Sequence, residues 1–161
     1  MGSLSQRRRG NRQKDLVGFR IGDVAYAVDI HRVREILNPL PTVELPQAPP
    51  AVIGVADHRG AVVPIVDLRR RFDLEPLPVT RRTKWVVVDR DGMGVGLVVD
   101  RVTDVFGAGP AEQRNVPALT RQRGIQAVFS HDSTLVFVLD VDLVTEVTAE
   151  LELDEIVQEE P

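Results

Sequence analysis

Few side chains in this 161-residue sequence could do chemistry. His31, His58 and His131 are its three histidines, and Asp57 stands beside His58. Metal-binding histidines usually sit at tight spacing on one element. These lie 27 and 73 residues apart, which supports neither a metal site nor an acid–base pair. The chain has no cysteine, and no serine falls in a Gly-x-Ser-x-Gly elbow. Gly92-Met93-Gly94-Val95-Gly96 is glycine-rich but lies within a hairpin pattern and opens no helix. It therefore lacks the free amides of a phosphate cradle, and tight turning and close strand approach are the better use of its glycines. The reading is a protein with no catalytic residue, no metal and no cofactor, and so not an enzyme. Glu35 and Arg59 are charged groups at the ends of apolar elements.

Short strands must position them. The sequence holds 27 valines against seven aromatic residues, and valine's branched Cβ suits a pleated surface. Eleven prolines and twelve glycines punctuate the valine runs. Leu16 to Ile21 and Val24 to Asp29 read as a hairpin across Gly22-Asp23. His31 to Leu37 reads as a short helix, with Val33, Ile36 and Leu37 at helical spacing until Pro39 and Pro41. Val52 to Asp57 and Ala61 to Val66 form a second hairpin over Arg59-Gly60, after which Asp67 can cap a helix running to Phe72. Trp85 to Asp89 and Val95 to Asp100 join through Arg90-Asp91-Gly92, a strong hairpin signal. Ala127 to Ser130 and Thr134 to Leu139 pair over His131-Asp132-Ser133, and a helical stretch runs from Val141 to Val147.

The second half repeats the first. Arg32-Val33-Arg34-Glu35-Ile36 parallels Arg101-Val102-Thr103-Asp104-Val105 at an offset of 69, and Val63-Pro64-Ile65-Val66-Asp67 parallels Val136-Phe137-Val138-Leu139-Asp140 at 73. Such self-similarity is a fold-level signal. It predicts two related β subdomains of about seventy residues, small enough to need each other's surface.

Gly54-Val55, Arg59-Gly60, Val63 to Arg69 and Gly96 to Asp100, with Phe19 to Gly22, Tyr26 to Ile30 and Val33 to Ile36, resemble the CheW domain, the coupling module of bacterial chemosensory systems. The resemblance runs from about Leu16 to Val147. It implies a mainly β fold of two SH3-like barrels around a shared hydrophobic core, with short helices. It also implies a non-catalytic adaptor between a chemoreceptor cytoplasmic tip and the regulatory domain of a CheA-type histidine kinase. Val33, Ile36, Gly54, Val102 and Val105 would line the receptor groove, and Glu35 with Arg59 would form the ion pair that couples to the kinase. A solvated salt bridge is the plain alternative for that pair, worth about 0–1 kcal/mol, and core packing is the alternative for the valines. Asp57 and His58 stand where the family has an amide and an apolar residue, and Lys84 where it usually has an apolar one. These departures leave open a divergent adaptor that keeps one partner only.

Charge divides the chain into a basic arm over 1–14, with five cations and no acid, a CheW-like domain over 15–148, and an acidic tail over 149–161. The two subdomains are expected to interleave, with the chain crossing between them near 79–84. The arm could serve a small β-barrel that binds nucleic acid or an anionic membrane. It has no aromatic residue to stack on a base, and the chain's net charge is −4, so no nucleic-acid partner is expected. No apolar run approaches about 18 residues, so direct membrane insertion is not expected either. The expected location is the cytoplasm, at receptor arrays.

Overall fold

A computed structural model describes residues 14–118 and 123–151. The basic arm up to residue 13 and the acidic segment from 152 lie outside them, while Lys14 already belongs to the first strand. The strands are β1 (Lys14–Ile21), β2 (Val24–Asp29), β3 (Val33–Leu37), β4 (Val52–His58), β5 (Ala61–Asp67), β6 (Lys84–Arg90), β7 (Met93–Val99), β8 (Arg101–Ala108), β9 (Gln113–Arg114), β10 (Ile125–His131) and β11 (Thr134–Leu139). Two short helices, α1 (Leu68–Arg71) and α2 (Val141–Val144), follow β5 and β11. Each begins on an aspartate whose carboxylate accepts an otherwise orphan amide proton: Asp67 from Arg69 and Asp140 from Leu143. No helix among the described residues is long and apolar enough to cross a membrane.

Two SH3-like barrels result. One is built on the sheet β8-β1-β2-β11-β10-β9, the other on β3-β6-β7-β5-β4. Each draws one hairpin from one half of the sequence and the rest from the other half. A parallel pair joins the two contributions, β2 with β11 in the first barrel and β7 with β5 in the second. Phe19, Ile21 and Val28 of the first sheet share one core with Val66, Val86 and Leu97 of the second.

Two expectations need correction. His31 to Leu37 is not a helix. Asp29 accepts the His31 amide at 2.9 Å and closes one 3-10 turn over Ile30–Arg32, after which Val33 is extended and β3 begins. The deciding force is the open edge of β6, whose backbone groups would otherwise lack partners. The helical spacing was misleading because Ile36 faces outward, 41% exposed, while Val33, Glu35 and Leu37 turn in. Nor does the chain change barrels near 79–84, since α1 and β6, on either side, belong to the same barrel. It crosses at Ile30–Arg32 and again at Asp100.

Both crossovers are clamped. Asp100 accepts the Gly22 amide at 2.7 Å from the β1–β2 turn, and Arg69 Nε at 2.9 Å and Nη2 at 2.6 Å from α1. At the other crossover the polarity is reversed: Arg32 pairs with Asp142 of α2 at 2.7 Å. The Arg69 guanidinium, helped by the Gly22 amide, holds the Asp100 carboxyl below its ordinary pKa. A depressed carboxyl stabilises the fold above its unfolded pKa, and that contribution is lost as pH falls through the folded value. Asp100→Asn should therefore cost about 2 kcal/mol at neutral pH. Urea titrations at a series of pH values should show the gap between variant and parent closing in acid.

Candidate functional site

The β4–β5 hairpin turns through Arg59 and Gly60, both at positive φ, and the Asp57 carboxylate accepts the Gly60 amide at 3.1 Å to hold the turn. The turn lifts Arg59 into solvent, with 77% of its side chain exposed. Glu35 approaches from β3, which has one extra residue between Val33 and Glu35 relative to β6. Its Oε2 lies 3.0 Å from His58 Nε2, and its Oε1 lies 3.6 Å from Arg59 Nη2. Glu35 and His58 are mostly covered, so the carboxylate is anchored inside by the imidazole and meets the guanidinium outside. A long, exposed pair contributes about 0–1 kcal/mol. Arg59 is therefore held loosely and can exchange Glu35 for an incoming group.

A groove of about 930 Å³ opens beside this triad. Arg34 and Arg90 stand on its walls with Val62 and Met93. Arg34 pairs with Asp89, whereas Arg90 donates to the Asp142 carbonyl at 2.7 Å and the Thr145 hydroxyl at 3.0 Å. Hydrogen-bonding and apolar surface thus stand side by side, as a protein-docking face requires.

Glu35, Arg59, Asp57 and His58 are brought together. Asp57 holds the turn, and His58, a departure in sequence, grips Glu35. Lys84 stands apart, donating to Asn38 Oδ1 at 2.8 Å and to the Arg81 carbonyl at 3.0 Å where β6 begins. Val33 and Val102 are half-buried against the shared core, so packing absorbs much of their surface. Ile36 and Val105 face solvent on β3 and β8, the edge strands of different sheets, with Val105 60% exposed. Gly54 is buried in β4. Its φ is +152°, and a Cβ there would lie 2.5 Å from the Val43 carbonyl oxygen. Its bareness lets the Val43 segment bridge to Val55 across β4.

A second pair of the same kind, not evident from histidine spacing, lies in the first barrel. His131 Nε2 lies 3.2 Å from Asp104 Oδ2, and its ring stacks on Phe106 with centroids 3.9 Å apart. His131 follows His58 by 73 residues and Asp104 follows Glu35 by 69, the offsets of the two sequence repeats. Each barrel thus carries a histidine–carboxylate clasp between a turn and a strand. The charge at the tip is inverted, because Asp132 takes the place of Arg59. Histidines 73 apart, dismissed as too distant for a joint site, were the signal.

Comparison with known proteins agrees with this architecture. The family model described as CheW-like domain matches residues 15–148. The chain is 34% identical over 124 residues to the chemotaxis protein CheW of Rhizobium meliloti, covering 73% of this chain and 80% of that one. It is 40% identical over 93 residues to a probable chemotaxis protein CheW of Rhizobium etli, covering 58% of this chain and 60% of the relative. The crystal structure of scaffolding protein TtCheW from Thermoanaerobacter tengcongensis superposes with a TM-score of 0.78 at 22% identity, over 86% of this chain and 96% of that one. With a family match across nearly all of the two-barrel unit, the chain belongs to the CheW-like domain family.

Proposed function

We propose that this protein is a non-catalytic adaptor of a bacterial chemosensory system, joining a chemoreceptor cytoplasmic tip to the regulatory domain of a CheA-type histidine kinase. It works in the cytoplasm at the receptor array. The observation that carries the site assignment is Glu35, gripped by His58 within and meeting a loosely held Arg59 at the rim of a large groove. Ile36 and Val105 supply exposed apolar surface on the barrel edges for the receptor, with Val33 and Val102 behind them. Such exposed edge residues suit an amphipathic helix laid across them.

The deciding experiment measures binding of the purified protein to a receptor cytoplasmic fragment and, separately, to a kinase regulatory domain from the same genome. Capture of both supports the coupler, and capture of neither removes it. Binding to one alone assigns the specialised adaptor, a reading favoured by His58, which occupies Glu35 on its inner side. For the receptor face, Val105→Glu should weaken receptor capture at least about tenfold, from the cost of burying an unpaired charge. An unchanged melting temperature would show the fold intact. Undiminished capture by that folded variant would remove Val105 from the interface.

A further inference from the structure

A second concavity, about 600 Å³, lies between the first barrel and the end of α1. Its walls are aromatic. Tyr26 stacks on Phe72 with centroids 5.2 Å apart, and Phe137 lies 6.1 Å from Tyr26. Val24 and Leu74 carry the apolar surface out to an exposed rim.

The polar groups here are mostly donors. Arg71 and Arg123 line the cleft, and among the described residues neither forms an ion pair or a side-chain hydrogen bond. Among the described residues the buried Arg71 Nε has no hydrogen-bond partner, while neighbouring Arg70 pairs with Asp67. Burial raises the pKa of the Tyr26 phenol, which therefore stays protonated and able to donate. Asp73 stands at the mouth as an acceptor but pairs with neither arginine. A buried donor left unmatched is costly. The complement is a group that brings carboxylate oxygens and an apolar side chain together.

The repeat shows what form such a group takes. In the second barrel, α2 runs into a 3-10 segment, Glu146–Leu151, whose Val147 and Leu151 pack on the core. Its Thr148 and Ala149 lie along the groove that also holds Met93, the counterpart of Val24 at the offset of 69. After α1 the equivalent stretch leads away instead: Leu74, which matches Val147 at the offset of 73, is exposed. An acidic, apolar turn of the same chain thus forms one wall of the second barrel's groove, whereas the stretch after α1 turns away from the first barrel's cleft.

We propose that the Tyr26–Phe72–Phe137 cleft is a docking site for a short acidic, apolar helical segment of a partner protein, its carboxylate bound by Arg71 and Arg123. The site lies apart from the Glu35 groove and does not depend on the coupling role assigned to that groove.

The probe is a fluorescein-labelled peptide copying residues 140–151, titrated into the full chain and followed by anisotropy. Saturable binding is expected. It should weaken at least about tenfold in Arg71→Gln and Arg123→Gln, and equally when glutamine replaces the peptide's glutamates, as loss of a charge-assisted contact requires. Arg59→Ala should leave it unchanged, so failure of the Glu35 assignment and failure of this one remain distinguishable. Arg123 is exposed, so its variant tests the contact without threatening the fold. No saturable binding, or affinity in both arginine variants undiminished from that of the parent, would overturn the proposal. So would phenylbutyrate displacing the peptide with equal affinity, which would make the cleft a site for small carboxylates.

Discussion

A Gly54→Ala variant is expected to lose about 3 kcal/mol of stability. Two costs combine. The backbone at Gly54 has φ +152°, a conformation that side-chain-bearing residues rarely adopt, and the new Cβ would meet the Val43 carbonyl oxygen at 2.5 Å. That oxygen cannot swing aside as a side chain would, because Val43 is held to Val55 by two backbone hydrogen bonds of 2.8 and 2.9 Å. Relief means detaching the Val43 segment from the edge of β4, which gives up both bonds at about 1 kcal/mol each. Thermal unfolding should fall by about 10 °C, and amide exchange at Val43 and Val55 should accelerate. A melting temperature within a degree or two of the parent would show that the edge yields cheaply. The same variant should be read with care in binding experiments, because Gly54 is buried and any loss of receptor capture would come through the displaced Val43 segment.

Glu35→Ala is expected to lower kinase activation in reconstituted receptor–kinase complexes by about tenfold or more, while costing the fold only about 1 kcal/mol. The asymmetry follows from the geometry. Removing the carboxylate strands a largely covered imidazole and releases Arg59 from its tether at once. Arg59→Ala leaves the Glu35–His58 contact in place and removes only the exposed guanidinium. If Arg59 is the group presented to the partner, both variants lose kinase output and only Glu35→Ala loses stability. Full output from both would remove the pair from the coupling role. Asymmetry in output, with Arg59→Ala silent, would transfer that role to the carboxylate itself.

The hairpins were legible because their turns advertise themselves. Gly22-Asp23, Arg59-Gly60 and Asp91-Gly92 each place residues at positive φ between alternating runs, and the structure keeps all three. The aspartate caps at Asp67 and Asp140 were equally local, and only the first was read. What failed depended on distant partners. β3 looked helical because Ile36 is apolar and yet faces outward, and nothing near it in sequence reveals the waiting edge of β6. The crossover expected near 79–84 lies within one barrel, and the exchange is made instead by one 3-10 turn and one aspartate. Within the candidate site, Glu35 and Arg59 came from resemblance alone. His58 was noticed as a departure, and its bond to Glu35 could not be seen without the extra residue in β3. Asp104 and His131 were within reach, since applying the repeat offsets to the histidines pairs them at once. The aromatic cleft was not, because Tyr26, Phe72 and Phe137 share no periodicity and meet only through packing.

The strand exchange at Ile30–Arg32 and at Asp100 has a mechanical consequence. The second barrel occupies one continuous stretch, β3 to β7, inserted between the two separate stretches, β1–β2 and β8–β11, that build the first. Opening the first frees β1 and β2 together with β8 to β11, which leaves β3 to β7 attached at both crossovers to unfolded chain. The molecule has the form of a domain-swapped dimer whose two copies were joined end to end and so cannot dissociate. Because the two barrels share one core, a partner that tightens one barrel tightens its twin by linkage.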